Sequence, residues 1–102
     1  MMSERKLNST NNRALVFVGE EIASATNKHK DSTRWDDVHM YKNSNGGYIV
    51  GIARKTNWVD ERDTYFAEPF KTMDNAVRFV ERDTNARLLV PQIRQQLNGV
   101  TQ

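Results

Sequence analysis

With 102 residues, of which 37% are hydrophobic and 27% charged, the chain is long enough for one domain with a packed core and too short for two. Fifteen Lys and Arg residues against 13 Asp and Glu leave a net charge of +2, too small to indicate a surface dedicated to neutralising many phosphates. The lack of cysteine excludes disulfides, thiolate nucleophiles and cysteine-ligated metals, and without an apolar run of signal-peptide or membrane-spanning length a soluble, cytoplasmic protein is expected.

The first twelve residues are polar, with one large apolar residue, Leu7, beyond the two initial methionines. Such a segment gains too little from burial to offset its ordering entropy, so residues 1–12 are predicted to be a disordered or loosely attached arm and residues 13–102 a single α+β domain. Residues 14–18 (ALVFV) have the composition of a central, buried strand, with Gly19 as a candidate bulge after it. Residues 26–34 lack any apolar side chain, which predicts a long surface loop.

A β-hairpin is the strongest local prediction. Residues 35–42 alternate imperfectly between two faces, and residues 43–47 (NSNGG) accept the positive φ angles that a tight turn needs. The returning strand is predicted over Tyr48–Thr56. Residues 64–68 then predict a fourth, edge strand, which Pro69 ends.

Helices follow the strands. Thr72 is a suitable N-cap for a helix over Met73–Arg82, whose apolar residues recur at helical spacing, and Thr84 is a candidate cap for a second helical stretch that Pro91 breaks, kinks or begins. Strands first and helices last, without βαβ alternation, predict an α+β fold. We expect an antiparallel sheet of about four strands in β-β-β-β-α-α order, with one or two C-terminal helices packed on one face.

No constellation of residues indicates catalysis. The two histidines, His29 and His39, lie in different predicted elements, and no serine has the glycine frame of a nucleophile elbow. The paired acids Asp36-Asp37 and the acids of residues 60–63 are interpreted as solvated charges in turns. The sequence therefore predicts a protein that is not an enzyme and that has no catalytic residue, cofactor or metal.

A protein-binding surface is the favoured functional prediction. Trp58 is a large apolar residue within a charged turn, where it either plugs the end of the sheet or projects as an aromatic anchor for a partner. In the second case, the charged residues of this turn and of the loop at 26–34 would form a polar rim. The predicted partner-binding residues are Trp58, Asp60, Glu61, Arg62, Asp63, Lys28, Lys30 and Arg34.

The alternative is a small nucleic-acid-binding module. Arg54 and Lys55 lie near Tyr41 and Tyr48 in the predicted hairpin, and aromatic side chains on an exposed sheet face stack on bases while cations contact phosphates. Steep salt dependence would distinguish this mode from an aromatic-anchored protein interface.

Several short motifs are spaced along the chain: Val18-Gly19-Glu20, Trp35, Gly46-Gly47-Tyr48, Thr56-x-Trp58 and Glu61-x-Asp63. In these motifs the chain resembles small uncharacterised accessory proteins of bacterial mobile elements, namely plasmids and integrated islands. The resemblance implies a small accessory protein that acts on host or competing-element machinery by binding it, and it transfers no site residues. Together with the favoured protein-binding surface, it leads us to expect an inhibitor or modulator of a host or defence complex.

Self-association is also expected. An unprotected edge strand, or a C-terminal helix carrying Leu88, Leu89, Ile93 and Leu97, is a surface through which two copies of a chain of this size can pair. A homodimer is therefore slightly favoured over a monomer.

Overall fold

A computed structural model describes residues 2–10 and 12–98, which form an antiparallel sheet followed by helices. Its five strands are adjacent in chain order: β1 (Ser3–Leu7), β2 (Leu15–Thr26), β3 (Arg34–Asn43), β4 (Tyr48–Thr56) and β5 (Thr64–Phe70). They precede α1 (Met73–Arg82), a single 3₁₀ turn (Ala86–Leu89) and α2 (Val90–Asn98). The α+β class is confirmed, with five strands instead of about four.

The main core lies between one face of the sheet and the helices. Alternate residues of β3 and β4 point to this face, including Val38, Met40, Val50 and Ile52, all at most 2% exposed. The helices complete this core with their own buried apolar residues, which are Ala76, Val77, Val80, Ala86, Leu89, Val90, Ile93 and Leu97.

The opposite face of the sheet carries a smaller core. Phe17, Tyr41 and Ile49 are buried there, and Leu7 and Leu15 pack against them. Leu7 also reaches Gly51 of β4, where an added Cβ would lie 3.1 Å from the Leu7 Cδ1 atom. Because β1 pairs with β2 while its last residue contacts β4, the N-terminal segment runs across this second face.

The prediction of a disordered or loosely attached arm over residues 1–12 is wrong for Ser3–Leu7, which form β1. Beyond β1, Thr10 is tied to β5, since its N–H donates to the carbonyl of Tyr65 at 2.9 Å and its hydroxyl accepts the N–H of Tyr65 at 2.8 Å. The strand was missed because its order depends on partners distant in the chain, whereas its own composition is polar.

The burial predicted for residues 14–18 is also wrong in part. Val16 and Val18 are 58% and 43% exposed, because the helices do not cover the sheet beside β1, and Phe17 is buried on the opposite face. The register shift of β2 falls between Glu21 and Ala23 and not at Gly19.

The predicted cap is correct for α1 and wrong for the second helical stretch, where Asp83 Oδ1, and not Thr84, accepts the N–H groups of Asn85 and Ala86. The Thr72 hydroxyl accepts the N–H of Asn75 at 3.2 Å, which confirms this residue as the N-cap of α1. Pro91 lies in the first turn of α2, where its missing N–H has no intrahelical acceptor to lose. Across residues 2–10 and 12–98, no helix has the length and apolar character needed to cross a membrane.

Candidate functional site

Two loops lie together at one end of the sheet. Alternate connections of an antiparallel meander share an end, so the β2–β3 loop (residues 27–33) neighbours the β4–β5 loop (residues 57–63). The Asn57 N–H donates to the carbonyl of Thr33 at 2.9 Å, and the Asn57 side chain donates to the carbonyl of Ser32 at 3.4 Å. We call these two segments the paired loops.

The paired loops contain most of the predicted partner-binding residues. Lys28 and Lys30 lie in one loop, Trp58 and residues 60–63 lie in the other, and Arg34 is the first residue of β3. The structure therefore brings together on one surface residues that are about 30 positions apart in sequence.

Polar groups hold the β4–β5 loop in one shape. The Thr56 hydroxyl donates to Glu61 Oε1 at 2.6 Å and accepts the Trp58 N–H at 3.1 Å. The Thr56 N–H donates to Asp63 Oδ1 at 3.0 Å, and the Glu61 N–H donates to the Trp58 carbonyl at 3.2 Å. These contacts give the polar groups of the loop hydrogen-bond partners within the chain itself, and they order the loop without a bound partner.

An ion pair ties this loop to β3. Arg34 donates from Nε to Glu61 Oε1 at 2.9 Å and from Nη2 to Glu61 Oε2, a bidentate arrangement. The hydrogen bonds from Arg34 and then from Thr56 lower the pKa of Glu61 from 4.5 to about 2. The carboxylate is therefore ionised, and the pair intact, throughout the neutral and mildly acidic range.

The tip of the same loop is apolar and faces water. Trp58 is 51% exposed and belongs to neither core, and Val59 is fully exposed. This exposure argues against a side chain that plugs the end of the sheet, and the role of Trp58 as a partner anchor stays a prediction.

The neighbouring β2–β3 loop is held at both ends. Asn27 and Asp36 bond to each other, the Asp36 N–H donating to Asn27 Oδ1 at 2.7 Å and the Asn27 N–H to the Asp36 carbonyl at 3.2 Å. Lys28 places its Nζ atom 4.4 Å from the centre of the Trp35 ring. Lys30 is exposed. This loop, which adjoins the β4–β5 loop, thus presents exposed basic side chains.

A cavity of about 600 Å³ opens beside the paired loops. The ends of β3 and β4 form one wall, and the β4–β5 loop and the 3₁₀ turn form the others. Its lining residues are Asn27, Arg34, Trp35, Asp36, Arg54, Lys55, Thr56, Glu61, Arg62, Thr64, Asn85 and Leu88.

A partly buried charge cluster borders this cavity. Asp36 and Arg54 are direct cross-strand neighbours, and Arg54 Nε donates to Asp36 Oδ1 at 3.2 Å. Arg54 Nη2 donates to both carboxylate oxygens of Asp83, which lies after α1. One cation therefore serves two acids.

Asp36 corrects the interpretation of its acidic pair as solvated. Its residue is 3% exposed, whereas Asp37, on the opposite face of β3, is partly exposed. Burial raises the pKa of Asp36 despite the opposing effect of Arg54, and the nearby Asp83 and Asp37 charges raise it further. The signal available in the sequence was the position of Asp36 two residues before Val38, which places both on the helix-covered face.

The residues of the nucleic-acid alternative are separated. Tyr41 is buried in the smaller core, with its ring 5.3 Å from Phe17, and Tyr48 packs against the main core on the opposite face. Arg54 and Lys55 are consecutive on β4 and point to different faces. These four side chains do not form one stacking platform.

A second, smaller concavity of about 350 Å³ lies on the face crossed by the N-terminal segment. Gly51 and Ala53 are among its lining residues, as are Asp37, His39 and Tyr65. His39 Nδ1 lies 3.3 Å from Glu21 Oε1. Among the residues that the structure describes, no group of three or more possible protein ligands is placed to hold a metal ion.

Comparison of the chain with protein-family models, with curated proteins and with solved structures gave no match in any of the three.

Proposed function

We propose that the chain is a non-catalytic protein-binding module whose paired loops contact the partner, and that it inhibits or modulates a host or defence complex. The observation that carries the protein-binding proposal is that the β4–β5 loop turns its polar groups inward and its apolar side chains toward solvent. Its polar groups bond inward through Thr56, Glu61 and Asp63, whereas Trp58 and Val59 point outward. The setting within a host or defence complex rests on the sequence resemblance.

The energetics of binding favour such an arrangement. Tryptophan is among the residues that contribute most to protein interfaces when a partner buries it. A loop that is already ordered loses little conformational entropy on binding, so more of the energy gained by burial appears as affinity. Lys28, Lys30, Asp60 and Arg62 are exposed on the paired loops and carry charges of both signs, as the polar rim of an interface does.

The decisive experiment compares two variants of the tagged full-length chain in pull-downs from bacterial lysate, with and without nuclease and at low and moderate salt. Trp58→Ser combined with Val59→Ser removes the apolar tip, and Val16→Thr removes a similarly exposed apolar residue on β2 as the matched control. We expect the wild type and V16T to retain the same protein through nuclease and salt. The double variant should lose it by at least about tenfold, the size of effect typical of an aromatic anchor.

Two outcomes would contradict the proposal. One is equal capture of the same protein by the double variant, provided that its amide NMR spectrum shows a folded chain. The other is recovery of nucleic acid that moderate salt abolishes, which would favour the nucleic-acid alternative with Arg54, Lys55, Tyr41 and Tyr48.

A further inference from the structure

The charge cluster beside the cavity is one cation short. Arg54 is shared between Asp36 and Asp83, and Asp36 uses its Oδ1 atom for that contact. The Asp36 Oδ2 atom is buried and has no hydrogen-bond partner among residues 2–10 and 12–98, and the side chain as a whole is 4% exposed. A buried carboxylate oxygen without a donor is costly, so a donor supplied from outside the chain would stabilise it.

Other cations around the cavity do not supply the missing charge. Arg34 is paired with Glu61, while Lys55 donates to the Tyr65 hydroxyl at 3.1 Å and lies 3.6 Å from Asp63. Arg62 also lines the cavity, but it is solvent-exposed, so water and salt weaken its field at the inner wall. The charge that lacks a partner in the inner wall is therefore negative.

We propose that the cavity receives an arginine side chain of the protein partner, whose guanidinium group donates to the carboxylate of Asp36. This inference rests on the proposed protein-binding function. Guanidinium is planar and less strongly hydrated than ammonium, so it enters a partly dry site at lower cost. Trp35 and Leu88 line the same cavity and offer apolar surface for the aliphatic part of the arginine.

Little holds the Asp36 carboxylate in its present orientation. Its Oδ1 contact with Arg54 is fairly long at 3.2 Å, and within the part of the chain that the structure describes no group donates to Oδ2. In the proposed complex the Asp36 side chain rotates so that Oδ2 faces the cavity, and Arg54 remains bonded to Asp83. The incoming guanidinium then supplies the donor that Oδ2 lacks.

The cavity and the apolar tip are parts of one surface. Arg34, Glu61 and Arg62 line the cavity and belong to the predicted partner-binding set. A partner that covers Trp58 therefore lies beside the cavity mouth, and an arginine at its edge provides a second, charged anchor.

The test uses methylguanidinium and methylammonium as probes, followed by NMR of the full-length chain labelled with ¹⁵N. The reporters are the Trp35 indole N–H, the Arg54 Nε–H and the Asp36 backbone amide. A fragment of so few atoms is expected to bind only at roughly millimolar concentration. We expect saturable shifts with methylguanidinium at all three reporters and at least about tenfold weaker binding of methylammonium.

Asp36→Asn should weaken methylguanidinium binding at least about tenfold, because it removes the charge while keeping the shape. Asp37→Asn is the matched control, since it makes the same change at the adjacent residue on the opposite face and should leave binding unchanged. Equal binding of both probes by the wild type, or shifts at these reporters with inorganic phosphate and not with methylguanidinium, would overturn the inference. Both of these measurements use the wild-type protein, so neither requires that a variant be folded.

Failure of this inference can be told apart from failure of the proposed function. If wild-type protein ignores methylguanidinium while the W58S/V59S variant still loses its partner, the paired loops bind a protein and the arginine anchor is wrong. If methylguanidinium binds and the W58S/V59S variant keeps its partner, the cavity is a guanidinium site and the proposed docking through the apolar tip is wrong.

Discussion

Glu61 connects three parts of the protein that sequence reasoning treats separately. Its carboxylate accepts from Arg34 at the start of β3 and from Thr56 at the end of β4, and its N–H donates to the Trp58 carbonyl within the loop. Isolated surface ion pairs contribute little to stability, but a bidentate pair that is also hydrogen-bonded fixes geometry. At this residue the fixed geometry is the orientation of the exposed apolar tip.

The acid titration of Glu61 tests this role. Its folded-state pKa of about 2 is below the ordinary 4.5, so its contribution is fully present above pH 4.5 and is lost as the pH falls from 4.5 toward 2. We expect the Glu61 side-chain carboxyl signal in NMR to titrate near 2, and the Trp58 indole signal to stay constant from pH 7 to below 4.5 and to move as Glu61 is protonated near 2.

Arg34→Gln should bring the Glu61 pKa back toward 4.5, because Arg34 is the largest cause of its depression. Arg62→Gln removes the same charge from the adjacent residue and serves as the control, since its effect on Glu61 should be small. A wild-type Glu61 that titrates near 4.5 would show that the ion pair does not hold the loop in solution.

Single residues also show where sequence reasoning reaches and where it stops. Trp58 stands out because a large apolar side chain is unusual among charged residues, and this contrast is visible in the sequence alone. The burial of Asp36 is not, because it depends on Arg54 across the sheet and on Asp83 beyond α1. The exposure of Val59 was likewise missed, since an isolated valine in a turn carries no sequence signal of its own.

At the scale of elements, local signals predict bounds and tertiary contacts decide the rest. The hairpin strand Tyr48–Thr56 and the helix Met73–Arg82 have the predicted bounds. The positive-φ turn at Gly46 and the Thr72 cap are local signals that encode where each of these elements begins. β1 has no such signal. It is ordered because β2 offers an edge and the second face of the sheet offers a place for Leu7.

Leu7→Ala therefore tests whether the N-terminal segment belongs to the fold. Leu7 packs against the smaller core and sits over Gly51, so we expect the free energy of unfolding in urea to fall by about 2 kcal/mol, the lower end for Leu→Ala because the side chain is only partly buried. Leu88→Ala is the matched control: Leu88 is 72% exposed, and its loss should cost less than about 0.5 kcal/mol. Equal, small effects of both substitutions would mean that the segment is a loose arm after all.

At the scale of the whole molecule, the two sheet edges bear on self-association. The backbone groups on the free side of β5 are those of Tyr65, Ala67 and Pro69. The N–H and the carbonyl of Tyr65 both bond to Thr10, and Pro69 has no N–H that could donate to another chain. β1, the other edge, is five residues long and carries Glu4, Arg5 and Lys6. Short, charged or proline-bearing edges resist pairing with a second chain.

The C-terminal helical residues that were predicted to pair two copies of the chain are also used within the fold. Leu89, Ile93 and Leu97 are buried in the main core of the same chain, which leaves Leu88 exposed among the four leucines and isoleucines considered for pairing. Both physical reasons for the expected homodimer are therefore weakened, and we predict a monomer instead.

Sedimentation equilibrium should accordingly give the monomer mass of 11.8 kDa from micromolar to millimolar concentration. Thr10→Ala combined with Pro69→Thr reopens the β5 edge, by removing the hydroxyl that accepts the Tyr65 N–H and restoring an N–H at position 69, and this variant should self-associate where the wild type does not. Thr84→Ala, a change at an exposed residue outside the sheet, is the control and should remain a monomer. A wild-type dimer at micromolar concentration would contradict this prediction, because it would require a contact that neither the blunted β5 edge nor the buried helical residues provide.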